Sequence, residues 1–197
     1  MARVKLTDDL KKAISGLSHK EKDKLLFRLI AKESILAEQL VFKLLESGTS
    51  AEDRREDLGK EIEQYLTDYQ KYFYSPGYLL LELRNISGKI TQHVKTTKDK
   101  YGEVYLNFLM LNQSLSLFGE KIAAVRPHRS RTLNKYVVNR AIKLIGLVRR
   151  LHEDYRLDFS DAMIELGEHI QKIDAMKRMA DDFELDLELL LSGSVDY

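Results

Sequence analysis

Between Val104 and Val125 the apolar residues Val104, Phe108, Leu111, Leu115, Phe118, Ile122 and Val125 step alternately by four and three. This is the seam of a helix packed along its whole length, and it predicts a helix that follows Tyr101-Gly102 and ends at Pro127. A second stripe, Leu79, Leu83, Ile86, Ile90 and Val94, follows Ser75-Pro76-Gly77 and runs to about Thr97. Proline is pre-organised for the first helical position, so the helix is expected to start there. A third stripe, Leu58, Ile62, Tyr65, Leu66, Tyr69 and Phe73, follows Thr49 and Ser50, either of which can cap a helix rich in early acidic residues. Beyond Pro127, Ser130 or Thr132 is expected to cap a helix carrying Leu133, Val137, Ala141, Leu144, Val148, Leu151 and Tyr155. The last stretch carries Phe159, Met163, Leu166, Ile170, Ile173, Ala180, Phe183, Leu187 and Leu190, with a break expected near Asp174. Residues 183 to 189 alternate as Phe-Glu-Leu-Asp-Leu-Glu-Leu, the period of a strand, but no other segment offers a strand partner, so they too are read as helical.

The first 47 residues follow the same rules on a smaller scale. Thr7 to Ser15 reads as one short helix. Ser18 with Glu21 has capping-box spacing ahead of Leu25, Leu26, Leu29 and Ile30, and Ser34 is placed to cap Ile35, Leu36, Leu40, Leu44 and Leu45 before Gly48 stops the chain's third helix. The whole is expected to be an all-α, single-domain antiparallel bundle of seven or eight helices. Three short helices over 1–47 precede long ones over 48–191, and residues 192–197 form a flexible tail. The core is expected to include Leu66, Leu83, Phe108, Leu111, Leu115, Phe118, Leu144, Val148 and Leu166.

Composition narrows the classes. The chain has 197 residues, 44% of them hydrophobic, and no cysteine, which is enough for a core without covalent staples. Its two prolines agree with long, uninterrupted helices. The longest apolar run is the five residues Leu144 to Val148, and Met1-Ala2-Arg3 opens no secretory signal. A cytoplasmic protein without a membrane span is expected.

A near-neutral total conceals two opposed segments. Residues 121–152 hold nine Lys and Arg with no acidic residue, whereas residues 153–197 hold 13 Asp and Glu against four Lys and Arg. At about 100° per residue, Arg131, Lys135, Lys143, Arg149 and Arg150 fall on the half of one helix opposite its apolar stripe. Together with Arg126 and Arg129 they are the candidate phosphate or nucleic-acid contacts, acting by counterion release and through an anion site at the helix N-terminus. The alternative is a solvated face neutralised by the acidic segment, within the chain or across a dimer. Tyr65, Tyr69, Tyr72, Phe73, Tyr74 and Tyr78 place six aromatics within 14 residues. Their helical spacing suits a packed interface better than a base-stacking platform.

The search for chemistry yields less. The five histidines are scattered, no His follows a Glu by three residues, and Gly88-Lys89-Ile90-Thr91 lacks the features of a phosphate-cradling P-loop. Glu165-Leu-Gly-Glu168, twelve residues, then Asp181-Asp-Phe-Glu184 resembles the paired acidic motifs of all-α nucleoside-triphosphate pyrophosphatases. That family ends its second motif Glu-x-x-Asp, and this chain reverses the order. The resemblance implies that Glu165, Glu168, Asp181 and Glu184 hold Mg²⁺ from neighbouring helices. No other metal site, no catalytic residue and no cofactor is expected. The first reading is therefore a non-catalytic scaffold or adaptor with a protein partner or a second copy of itself. Phosphate or nucleic-acid binding through residues 126–150 is the alternative, and the pyrophosphatase comes third.

Overall fold

The computed structural model describes residues 5–46 and 50–194, and among them every regular element is helical. The chain divides into two compact units, residues 1–47 and residues 48–197.

The first unit holds α1 (Asp8–Ser15), α2 (His19–Ile30) and α3 (Ser34–Leu44). Local chemistry sets their starts. The Leu10 N–H donates to the Thr7 hydroxyl, and Ser18 and Glu21 form the expected reciprocal capping box. Ser34 does not cap α3; it is the first helical residue, and Glu33 precedes it without a side-chain bond. The expected stop at Gly48 and cap at Thr49 lie outside the described residues. None of the three helices contains a buried residue.

The second unit runs through α4 (Ala51–Tyr69), α5 (Pro76–Thr97), α6 (Lys100–Ala123), α7 (Pro127–Val148), α8 (Glu153–Arg156), α9 (Ser160–Lys172), α10 (Asp174–Asp182) and α11 (Leu187–Ser192). Single turns of 3-10 helix cover Gln70–Tyr72 and Leu157–Phe159. Ser50 and Asp53 form a second capping box at α4, and Ser75 caps α5 ahead of Pro76. At the centre lies α6, which packs against α4, α5, α7 and α9. Its seam residues Val104, Phe108, Leu111, Leu115, Phe118 and Ile122 are all buried, and so are Leu106, Met110 and Ser114 on its other sides. A single stripe understates a helix covered on several faces. Every expected core residue is buried, and each large apolar side chain so placed contributes roughly 1.5–3 kcal/mol.

The corner between α5 and α6 is tied by polar groups. Lys98 closes α5 in the left-handed region, and Asp99 caps α6 by accepting from the Gly102 N–H at 2.7 Å. The other Asp99 oxygen accepts from Arg55 of α4 at 3.2 Å and from His93 Nε2 at 3.3 Å. Gly102 is required by close approach, since a Cβ there would collide with the Asp99 carboxylate.

Two regions depart from the periodicity. Ser130 and Thr132 do not cap α7. Pro127 is its first residue and Arg126 its N-cap, because proline fixes the helical φ three residues earlier; Ser130 is buried inside the first turn. The last third also breaks into more segments than a bundle of seven or eight helices allows. The expected break falls at Ile173, whose extended backbone (φ −110°, ψ 98°) separates α9 from α10. Residues 183–186 are neither strand nor helix but a turn, with Glu184 at φ 55°. Asp186 then caps α11 by accepting from the Leu189 N–H at 2.9 Å. Leu189 and Leu190 are buried and α11 packs on α9, so the apolar C-terminal helix is not a free surface. Of the expected tail, Ser192 and Gly193 end α11, the Gly193 carbonyl accepts from the Ser160 hydroxyl, and residues 195–197 lie outside the described residues. No helix among the described residues is long and apolar enough to cross a membrane.

Candidate functional site

The N-terminal turn of α7 has an unusual electrostatic make-up. A helix start leaves backbone N–H groups pointing outward and carries partial positive charge, which acidic residues normally offset. Here no acidic residue occupies the first turn and no side chain caps it. Arg126, His128, Arg129 and Arg131 surround it instead, all exposed.

Beside this turn lies a cavity of about 320 Å³ between α7 and α10, lined by Pro127, His128, Arg131, Asn134, Ala175, Arg178 and Met179. Arg178 is held by its Nε, which donates to the Asp174 carbonyl at 3.3 Å. The sequence pattern gave Arg131 but not Arg178 or His128. Arg178 stands in a segment whose net charge is strongly negative, and only the break at Ile173 turns α10 so that Ala175, Arg178 and Met179 line the cavity with α7. The i, i+3, i+4 spacing of those three was the available signal.

The remaining basic residues do not converge on this point. Lys135 Nζ lies 5.2 Å from the centre of the Phe183 ring, and Lys143 pairs with Glu103 at 2.9 Å. Arg140 donates to the Ser87 and Tyr136 hydroxyls. Arg149 and Arg150 are exposed at the far end of α7, about 27 Å from Arg131 at 1.5 Å per residue. A continuous basic face is therefore two separate clusters with occupied cations between them.

Among the described residues the acidic segment forms no ion pair with these clusters. Among the described residues Arg126, Arg129, Arg131, Arg149 and Arg150 have no carboxylate within ion-pair distance.

The four carboxylates of the acidic motif each have other surroundings. Glu165 accepts from Asn112 Nδ2 at 3.0 Å and lies 3.4 Å from His169 Nε2. Glu168 pairs with Lys172 at 3.3 Å. Asp181 is exposed near the end of α10, and Glu184 lies in the left-handed turn beyond it. Among the described residues no group of three or more His, Asp or Glu is close enough to hold a metal ion. The resemblance to the pyrophosphatase motif is one of spacing without convergence, because the break at Ile173 and the turn at 183–186 replace the neighbouring long helices such a site needs.

The aromatic cluster divides. Phe73 stacks on Phe118 at 5.2 Å between ring centroids, and Tyr69 meets the same ring edge-on at 5.9 Å. Tyr72, Tyr74 and Tyr78 stay exposed, Tyr74 at 80%. Tyr65 is likewise exposed and donates its hydroxyl to Glu82, which pushes the phenol up to about 12, with burial adding to the effect.

Comparison of the chain with known protein families, characterised proteins and solved structures found no match.

Proposed function

We propose that the protein is a non-catalytic binding protein that holds the phosphate groups of a polyanion at the N-terminal turn of α7. The observation that carries this reading is the set of cations there: Arg126, Arg129 and Arg131, without carboxylate partners among the described residues, beside a cavity that Arg131 shares with Arg178. Guanidinium groups suit phosphate because their planar donors match two oxygens at once. The open helix N-terminus adds backbone N–H donors and a favourable dipole. Phosphate contacts of this kind give affinity without base specificity, so a nucleic-acid backbone is the natural probe.

The test is fluorescence anisotropy of labelled single-stranded and duplex oligonucleotides across a salt series. The reading expects log affinity to fall linearly with log salt. It also expects Arg131→Ala with Arg178→Ala to weaken binding about tenfold or more while circular dichroism stays unchanged. No binding at low salt would overturn it.

A protein adaptor is the second reading. It is favoured by exposed Tyr72, Tyr74 and Tyr78, since tyrosine is enriched where proteins meet.

A further inference from the structure

A cavity of about 330 Å³ lies between α6 and the segment that leads into α9. From α6 come Tyr105, Phe108, Leu109 and Asn112, spaced i, i+3, i+4 and i+7 on one face of the helix. From the other side come Asp158, Asp161 and Glu165, the last two one helical turn apart on α9. Phe108 and Asn112 are buried, whereas Tyr105 and the three carboxylates are exposed, so an acidic mouth stands over a closed floor.

Three carboxylates around one space repel one another unless a cation offsets them. No Lys or Arg lines the cavity, and among the described residues none lies within ion-pair distance of the three. Asp158 accepts from the Tyr101 hydroxyl, and Glu165 accepts from Asn112 Nδ2 at 3.0 Å and lies 3.4 Å from His169 Nε2. Asp161 makes neither a hydrogen bond nor an ion pair among the described residues, and only the dipole at the start of α9 favours its charge. The Tyr101 and Asn112 donors are neutral, so they leave each carboxylate its charge and further lone pairs.

Asn112 is an independent sign of a ligand. It is 6% exposed, and its Nδ2 donates to the Ala162 carbonyl at 2.9 Å as well as to Glu165. Two acceptors around that nitrogen fix the amide, since a flip would set oxygen against oxygen. Its Oδ1 is therefore an acceptor, buried and without a partner. A buried polar atom left this way calls for a donor.

A metal ion does not meet the need, because among the described residues no three of His, Asp and Glu come close enough to share one. The carboxylates call for an extended cation instead. Asp161 and Glu165 are separated by about 6 Å along the helix axis at 1.5 Å per residue, a distance that two ammonium groups on a short methylene chain can span. Tyr105 and Leu109 offer that chain an apolar wall, and the tyrosine ring attracts a cation. The volume suits a small molecule.

We propose that this cavity binds a free aliphatic diamine or polyamine, with ammonium groups at Asp161 and Glu165, Asn112 Oδ1 as a further acceptor, and the chain against Tyr105 and Leu109.

Isothermal titration calorimetry of the full chain with putrescine and spermidine tests it. One site per chain is expected. Butylamine has the same carbon chain with a single ammonium group and should bind about tenfold more weakly. Asp161→Asn with Glu165→Gln keeps the shape and removes two charges, and it should weaken putrescine at least tenfold with helix content unchanged by circular dichroism. Tyr105→Ala touches no charge and a side chain already 40% exposed, and it should weaken binding severalfold. Asp181→Asn with Asp182→Asn, equally acidic but outside the cavity, should leave the affinity as it is. No binding of either amine at low salt overturns the proposal. Equal losses from the two acidic pairs overturn it as well, since they would mean diffuse attraction to an acidic segment. Butylamine matching putrescine overturns the diamine assignment and points to a single ammonium, such as a lysine side chain of another protein.

Discussion

Arg55 on α4 reaches Asp99, 44 positions later, with 3.2 Å between guanidinium and carboxylate and both side chains nearly closed to water. Burial opposes ionisation of Asp99. The hydrogen bond from His93, the Gly102 N–H and the Arg55 charge together outweigh it and hold the carboxyl below its ordinary range. Removing the carboxylate leaves the Gly102 N–H without its cap and Arg55 with Glu52 at 2.9 Å as its ion-pair partner, so Asp99→Ala should cost about 1–3 kcal/mol in urea unfolding at neutral pH. The folded pKa is depressed, so the stabilisation is complete above the ordinary aspartate range near pH 4 and is lost as pH falls through the folded value. Wild type and variant should therefore converge in stability only in strong acid, and a gap that is the same at every pH would refute the assignment.

Gly102→Ala should damage the same corner without touching a charge. The added Cβ would lie 2.7 Å from Asp99 Cγ, and the third nearest atom, Arg55 Cδ, is 3.0 Å away. Both must shift together. Thermal unfolding should show a clear loss for Gly102→Ala in wild type and a smaller loss once Asp99 is already alanine, because neighbouring effects of this kind are not additive.

Phe118 is fully buried against Tyr69 and Phe73. Truncation to alanine should cost about 3–5 kcal/mol by denaturant titration, the range for an aromatic removed from a packed core. A loss below ~1 kcal/mol would mean that the Gln70–Tyr72 turn collapses into the gap.

Much of this was readable in the chain. The four-three stepping from Val104 to Val125 located α6, which ends at Ala123, and the Ser18 capping box, the caps offered by Thr49 or Ser50 and the proline at 76 marked helix starts, because periodicity and capping are local. What escaped the sequence depends on tertiary placement. Arg178 joins Arg131 only through the packing of α10 on α7. Opposite net charges in consecutive segments suggested mutual neutralisation, yet Arg149 and Arg150 at one end of a helix form no ion pair with a carboxylate among the described residues. Ser130 had the chemistry of a cap but lay inside a turn that Pro127 had already fixed.

Separation of the two basic clusters gives a binding prediction. For a short oligonucleotide held at the start of α7, Arg129→Ala and Arg131→Ala should each lower the salt slope by about one. Arg149→Ala with Arg150→Ala should leave that slope unchanged. Equal effects from both pairs would require a ligand spanning the whole helix.

Tyr65 should titrate far above ordinary tyrosine, at about 12, because its hydroxyl is held by Glu82. Glu82→Gln removes the charge and should bring the phenol back toward 10. The ultraviolet phenolate signal, taken as the difference from Tyr65→Phe, checks this.

The central position of α6 bears on how the chain matures as it leaves the ribosome. Its helix is finished at Ala123, but α9, which covers one of its faces, is complete only at Lys172. At roughly 5–20 residues per second, that face waits about 2–10 s for its cover. During this interval Phe108 and Asn112, which meet Phe159 and the backbone of α9 in the finished fold, have yet to receive those partners, so this part of the core closes only after most of the chain has been made.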